Sequence, residues 1–309
     1  MSEQMTQTAP PADVQPLAKV QTPLQRFASD YFENKIAAGA LFVLIGIIFI
    51  AIFAPLISPQ DPYDLSSVSV LDSKMPPGSQ HFDGWTFYLG TDGAGRDLLS
   101  AIFYGLRISL GVGIVSGVIA LVIGAAIGMI AAYFGSWVDT LIMRIVDIQL
   151  SFPTILVALI LLALLGKGVD KIIIALVIVQ WAYYARTVRA SALVERGKEY
   201  IEAATCLALP QKRIMFRHMF PNCLPPLIVV ATLQTASAIS LEATLSFLGV
   251  GLPVSEPSLG LLISNGFDYM LSGRFWISFF PGIALLITIV SINLVGDQLR
   301  DVLNPRLQK

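Results

Sequence analysis

The feature that most restricts the fold is an uncharged stretch of 27 residues, 108–134, which reads ISLGVGIVSGVIALVIGAAIGMIAAYF. A helix rises about 1.5 Å per residue, and about 20 apolar residues cross the hydrocarbon core of a bilayer, which is roughly 30 Å thick. The stretch can therefore span a membrane with some tilt. In the whole chain 55% of residues are hydrophobic and 13% are charged, which excludes an ordinary soluble domain.

We predict an all-α, polytopic membrane protein with six transmembrane helices. Each predicted span is predominantly apolar, and the fourth is the shortest. The predicted spans are residues 36–57, 108–134, 148–165, 172–184, 224–249 and 275–295.

The distribution of Lys and Arg predicts the orientation. Six spans bring both termini to the same side, and if that side is the inner one, it holds 14 cations against 6 on the outer side. The positive-inside rule then places both termini in the cytoplasm. The core with the last five spans covers residues 108–299. It includes a cytoplasmic loop at 189–222 and is followed by a cytoplasmic C-terminus at 300–309.

The segments before the core differ in composition. Residues 1–22 are rich in Pro, Gln and Thr, which is typical of a disordered tail. Residues 23–35 are predicted to form an amphipathic elbow helix, with Thr22 as its cap and Pro23 at its first position. Residues 58–107 are predicted to form a periplasmic loop that ends in an interfacial helix with an apolar stripe.

Small residues recur along the second span every three or four positions. Twenty-two residues over six steps give 3.67 residues per step, so the whole set shares one helical face. Such a face lets another helix approach closely, which predicts that this span lies in the middle of a bundle. The set is Gly113, Gly117, Ala120, Gly124, Gly128, Ala131 and Gly135.

Three charged residues fall within or beside predicted spans. Arg144 and Asp147 are three positions apart, so we predict a structural pair on one helical face, with a kink at Pro153 beyond it. Glu242 lies inside the fifth span and must face protein, water or a cavity. It could meet a cationic group of a substrate in a translocation path, or accept hydrogen bonds inside the bundle.

The sequence contains no recognisable catalytic or metal-binding motif. It has no phosphate loop, HExxH, GxSxG or Rossmann-type fingerprint, and its two histidines, His81 and His218, fall on opposite sides of the membrane. We therefore predict that the chain is not an enzyme and binds no cofactor or metal. Any uphill transport must draw its energy from another protein.

The cytoplasmic loop contains the polar and basic segment EYIEAATCLALPQKRIMFRHMFPN, residues 199–222. Good helix formers precede Pro210, which can begin a second short helix that Pro221 ends. The small residues Ala204 and Ala208 are one turn apart. Physical reasoning leaves two interpretations open: a knob that enters a groove of a soluble protein, or a basic loop held on anionic lipid.

The same segment resembles the EAA signature of permease subunits of ATP-binding cassette (ABC) importers. Glu202-Ala203-Ala204 matches its start, and Ala208 stands where that family usually has Gly. The resemblance implies a coupling helix that docks into a cleft of a cytoplasmic ATPase. The residues implied in this docking are Glu202, Ala203, Ala204, Leu207 and Ala208.

Four further segments are similar to the dipeptide and oligopeptide branch of these permeases, and to the partner with the long periplasmic loop after the first span. They are LGTDGAGRDLLSAIFYGLRISL, MRIVDIQLSFP, LSFLGVGLP and NLVGDQLRDVLNPRL. The resemblance implies a type I importer bundle in a bacterial inner membrane that moves peptides by alternating access. Glutathione, opines or nickel chelates are alternative substrates within the branch, and a self-contained channel or ion-coupled carrier is a further alternative.

The resemblance also implies partners. These are a second permease in a heterodimer, two cytoplasmic ATPase subunits that bind ATP–Mg, and a periplasmic solute-binding protein.

Overall fold

The computed structural model of the protein describes residues 22–64, 68–81, 84–253 and 255–303. The predicted disordered tail therefore lies, except for Thr22, outside the described residues, as does most of the predicted C-terminal segment 300–309. Helices dominate the part of the chain that the structure describes. They are α1 Pro23–Glu33, α2 Lys35–Ile57, α3 Leu98–Phe134, α4 Ser136–Ser151, α5 Thr154–Leu165, α6 Val169–Arg196, α7 Glu199–Cys206, α8 Gln211–Arg213, α9 Phe220–Phe247, α10 Leu259–Phe267 and α11 Trp276–Leu303.

Among the described residues, five long apolar helices can cross a membrane: α2, α3, α6, α11 and the continuous segment Gln211–Phe247. Counted as one span, the pair α4 and α5 is the sixth, bent by 90° at its break. The break lies between the end of α4 at Ser151 and the start of α5 at Thr154. It contains Pro153, whose ring cannot continue a helix. The predicted all-α fold with six spans is confirmed, with one span broken.

The helix predicted at the outer interface is part of α3. Asp97 caps α3, and its carboxylate accepts a hydrogen bond of 2.8 Å from the Ser100 N–H. The stripe residues Leu98, Ile102 and Leu106 are buried in a core shared with α9, α10 and α11. The prediction of a separate interfacial helix is therefore wrong, because the stripe packs on protein and the helix has no break before the span.

The fourth span, α6, is much longer than the predicted residues 172–184. Its hydropathy falls after Tyr184, but the helix continues to Arg196, and arginines in this part of α6 pair with carboxylates of α4. The Arg189 guanidinium donates two hydrogen bonds to Asp139, of 2.7 and 2.5 Å.

Asp147 on α4 forms an ion pair with Arg186 of α6. The predicted pair between Arg144 and Asp147 is corrected accordingly. The partner of Asp147 is therefore an arginine of the neighbouring helix α6. The ion pair links α4 to α6, and it does not join two turns of α4.

The small-residue face of α3 meets α6 at two glycines. A Cβ on Gly124 would lie 2.6 Å from the Tyr184 Cβ, and one on Gly128 would overlap the carbonyl oxygen of Ala185. Gly117 is looser, since its Cβ would lie 3.4 Å from the nearest atom, the Thr235 hydroxyl. Close backbone approach between α3 and α6 is thus concentrated at Gly124 and Gly128.

The loop between α2 and α3 is pinned to the start of α3. It contains a short antiparallel pair, β1 Ser79–Gln80 and β2 Thr86–Phe87. Asp92 and Arg96 form a buried ion pair of 2.7 Å, and the other Asp92 oxygen accepts the N–H groups of Ala94 and Arg96. Asp92 and Arg96 of the quoted GTDGAGRD motif therefore bond to each other and hold this turn in a fixed shape.

Candidate functional site

The segment implied in coupling forms the short helix α7, between α6 and the rod Gln211–Phe247. α6 ends at Arg196 with Gly197 as its C-cap, and α7 begins after the extended residue Lys198. Glu199 and Glu202 lie in its first turn, where a negative charge interacts favourably with the helix dipole. α7 is therefore a separate element set between two of the spans.

One face of α7 is buried and the opposite face is exposed. Ile201 and Ala204 lie in a core cluster with residues of α3, α6 and α9. Glu202 and Ala203 are exposed, and Leu207, just beyond the helix, is 76% exposed. The prediction that Ala204 takes part in docking is therefore corrected. Its small side chain packs against the core of the bundle and not on the exposed face. The others remain on the free face.

A hydrogen-bond network ties α7 to both neighbouring helices. The Tyr200 hydroxyl donates a bond of 2.5 Å to Glu195 of α6 and accepts one of 3.0 Å from the Asn222 side-chain amide of α9. Lys198 donates to the other Glu195 oxygen at 2.6 Å. Burial, followed by the bond to Glu195, raises the pKa of Tyr200 to about 12, so the phenol remains a proton donor at neutral pH. We call Tyr200, Glu195 and Asn222 the anchor network.

Sequence reasoning did not find the anchor network. Its members are separated by 5 and 22 residues, and they lie on three different helices, so no helical period relates them. Only the folded structure brings them together.

The rod that follows α7 does not end at Pro221. A π-helical segment, Ile214–Met219, joins α8 to α9, and the Phe220 N–H donates to the carbonyl of Met215 five residues earlier. Pro221 is the second residue of α9, directly after the π-helical segment, and the helix continues past it although proline has no N–H to donate. The predicted end of a short helix at Pro221 is wrong, and α8 to α9 form one continuous element.

Ala208 has a left-handed backbone, with φ of +53°. This conformation costs a residue with a Cβ atom about 1–2 kcal/mol, and glycine adopts it readily. The turn after α7 is thus of the kind that glycine favours, although this chain has alanine there.

Glu242 is completely buried at the junction of three helices. Its carboxylate accepts hydrogen bonds of 2.8 Å from Ser109 of α3 and 2.8 Å from Ser246 of α9, and a further one from Ser258, the cap of α10. Of the two roles considered for Glu242, the geometry matches that of a hydrogen-bond acceptor inside the bundle, because three hydroxyl groups enclose it.

A groove of about 450 Å³ lies between α5, α9 and α11. Ser237, Ser240 and Thr244 of α9 line it, together with Thr154 of α5 and Asn293 of α11. Sequence reasoning missed this set, although the spacing of 3 and 4 between the α9 residues places them on one helical face.

Comparison with known proteins identifies the family of this chain. Residues 124–309 match the model of the binding-protein-dependent transport system inner membrane component, and residues 22–77 match the N-terminal transmembrane domain of oligopeptide transport permease C. The di/tripeptide transport system permease protein of Pseudomonas aeruginosa (strain UCBPP-PA14) is 38% identical, over 93% of each chain. The oligopeptide transport system permease protein of Bacillus subtilis (strain 168) is 38% identical, over 90% of this chain and 88% of its own.

A solved structure has the same fold. The inward-facing MetNI methionine ABC transporter chain aligns with a TM-score of 0.55 and 21% identity, over 67% of this chain and 98% of its own. The first family model alone covers more than half of the sequence. The chain belongs to the family of binding-protein-dependent transport system inner membrane components, the membrane-embedded permeases of ABC importers.

Proposed function

We propose that this chain is a transmembrane permease subunit of an ATP-driven importer for dipeptides and oligopeptides. The similarity to di/tripeptide and oligopeptide permeases over most of the chain supports this substrate class. The observation that carries the mechanism is α7, which has one face held in the bundle and an apolar residue, Leu207, on its free side.

In this proposal α7 and both termini face the cytoplasm, in keeping with the excess of Lys and Arg on that side. The free face of α7 docks into one of two ATPase subunits, which bind ATP–Mg and carry out hydrolysis. A second permease completes a heterodimeric pore, and a periplasmic binding protein delivers the peptide. This chain supplies half of the pore and no hydrolytic chemistry.

The anchor network explains how a movement of α7 would reach the pore. Tyr200 is bonded to α6 through Glu195 and to α9 through Asn222. Closure of the ATPases on ATP displaces α7, and these bonds carry the displacement into both spans. Because α9 is continuous with α8 and the π-helical segment, it moves as one rod, and the path alternates between the two sides of the membrane.

The docking of α7 can be tested through Cys206, which is exposed, whereas Cys223 is buried. In the assembled complex, a bifunctional maleimide should join Cys206 to a single cysteine placed in the cleft of the ATPase. The Cys206→Ser variant should abolish the cross-link. A complex in which Cys206 reacts freely but never cross-links, in any nucleotide state, would overturn the docking proposal.

Leu207 provides a functional test with a matched control. Burial of a Leu side chain contributes about 1.5–3 kcal/mol, and about 1.4 kcal/mol corresponds to a tenfold change. Leu207→Asp should therefore lower peptide uptake and binding-protein-stimulated ATP hydrolysis by roughly tenfold or more, while Leu207→Met retains both. Equal activity of the two variants would contradict the role of α7.

A further inference from the structure

The outward face of α9 carries hydroxyl groups at membrane depth. Ser237, Ser240 and Thr244 are exposed along one side of this helix, within the apolar segment Gln211–Phe247 that can span a membrane. Thr244 donates its hydroxyl to the carbonyl of Ser240 at 2.8 Å. Among the described residues, no protein group bonds to the side-chain hydroxyl of Ser237 or Ser240, in contrast to Thr235 beside them, which donates to Ala231 at 2.8 Å.

Two other spans, α2 and α3, have a different exposed surface. Every exposed side chain of α3 between residues 111 and 130 is Ile, Val or Ala, and the exposed residues of α2 between 36 and 57 are all apolar. Such faces suit contact with lipid. A hydroxyl group without a partner is costly in hydrocarbon, so the serine face of α9 must meet water, a polar ligand or another protein.

The groove beside this face has the dimensions of a ligand site. Its volume of about 450 Å³ falls within the roughly 300–1,000 Å³ that is common for small-molecule pockets. Five of its ten lining residues carry a hydroxyl or amide group, and none of the ten is ionisable. A second cavity, of about 690 Å³, shares Leu233 with it and contains Glu195 and Arg300, but Glu195 is already bonded to Lys198 and Tyr200.

We propose that the groove between α5, α9 and α11 is the part of the translocation path that this chain contributes, and that it contacts the peptide backbone without selecting for side-chain charge. This inference rests on the proposed peptide importer. Hydroxyl and amide groups both donate and accept hydrogen bonds, so they match the N–H and C=O groups that all peptides share. With no fixed charge in its lining, the groove neither attracts nor repels a charged side chain, and selection by charge is left to the binding protein.

A single carboxylate in the groove should therefore create a selectivity that the native chain lacks. In the reconstituted complex with its binding protein, uptake of lysyl-alanine and glutamyl-alanine is compared for the wild-type chain and for Ser240→Asp. The lysyl-to-glutamyl uptake ratio should rise by roughly fivefold or more in Ser240→Asp, the effect of an interaction of about 1 kcal/mol. Ser240→Asn, which has the same shape as Asp but no charge, should keep the wild-type ratio.

Cysteine labelling tests the groove independently of transport. Ser240→Cys is built in a Cys206→Ser background, with the buried Cys223 retained, and the assembled complex is treated with a membrane-impermeant methanethiosulfonate. Reaction of the introduced thiol that peptide and binding protein slow down supports the inference. An introduced thiol that does not react with the reagent and cross-links constitutively to the second permease would show a subunit interface and overturn it.

The two tests separate the inference from the proposed function. A wild-type complex that takes up no peptide refutes the proposed substrate class, whereas labelling of the Ser240→Cys variant still decides whether the groove is open to water. Normal peptide uptake with an unchanged charge ratio in Ser240→Asp refutes the groove as the path.

Discussion

The packing of α3 against α6 makes a quantitative prediction for Gly124→Ala. The new Cβ would lie 2.6 Å from the Tyr184 Cβ and 3.0 Å from the backbone nitrogen of Ala185. Carbon atoms in contact prefer about 3.5–4.0 Å, so α6 would have to retreat by about 1 Å. Both contacted atoms belong to the backbone or to a Cβ, so no rotamer change relieves the overlap.

Overpacking of this kind costs about 1–3 kcal/mol. The exchange also adds up to about 1 kcal/mol of helix propensity, because alanine is a better helix former than glycine. Gly111→Ala is the matched control, since it lies on the same helix and its Cβ would have no neighbour within 4 Å. The propensity gain is common to both variants, so Gly124→Ala should be less stable than Gly111→Ala by about 1–3 kcal/mol.

The measurement is the unfolding of the purified protein in mixed dodecyl maltoside and SDS micelles, followed by circular dichroism. Gly117→Ala, whose Cβ would make only ordinary contacts, should behave like Gly111→Ala. If Gly124→Ala is as stable as both controls, then α3 and α6 do not approach closely at Gly124, and the small-residue face is not what brings the two helices together.

Three other exchanges have defined outcomes. Tyr200→Phe removes a hydrogen bond to the Glu195 carboxylate, which is worth about 1.5–3 kcal/mol. This variant should reduce peptide-stimulated ATP hydrolysis severalfold, while Cys206 still cross-links to the ATPase. Ala208→Gly relieves the left-handed backbone and should raise the free energy of unfolding by about 1 kcal/mol, with Ala208→Val lowering it in the same SDS assay. Asp92→Asn leaves buried Arg96 without its carboxylate, so it should cost about 3 kcal/mol and expose the loop before α3 to limited proteolysis. An unchanged cleavage rate would contradict this last expectation.

The length of the apolar runs determines the fold class, and it does so locally. Residues 108–134 are uncharged for longer than a bilayer is thick, so no partner is needed to infer a transmembrane helix there. The spacing of the small residues along α3 is also a local property of the sequence. It correctly identifies the side of α3 that meets α6 at Gly124 and Gly128. Hydropathy underestimated the length of α6, since arginines in the C-terminal part of this helix pair with Asp139 and Asp147 of α4.

Tertiary structure alone decided which polar groups meet. The sequence leaves Glu242 as either a substrate contact or a bundle acceptor, and only the fold brings Ser109 of α3 and Ser258 of the α10 cap to it. The anchor network around Tyr200 likewise joins three helices. The sequence determines a helix and the face that is apolar because both depend on residues a few positions apart. The partner of a buried carboxylate or phenol depends on how helices pack over distances that no local period encodes.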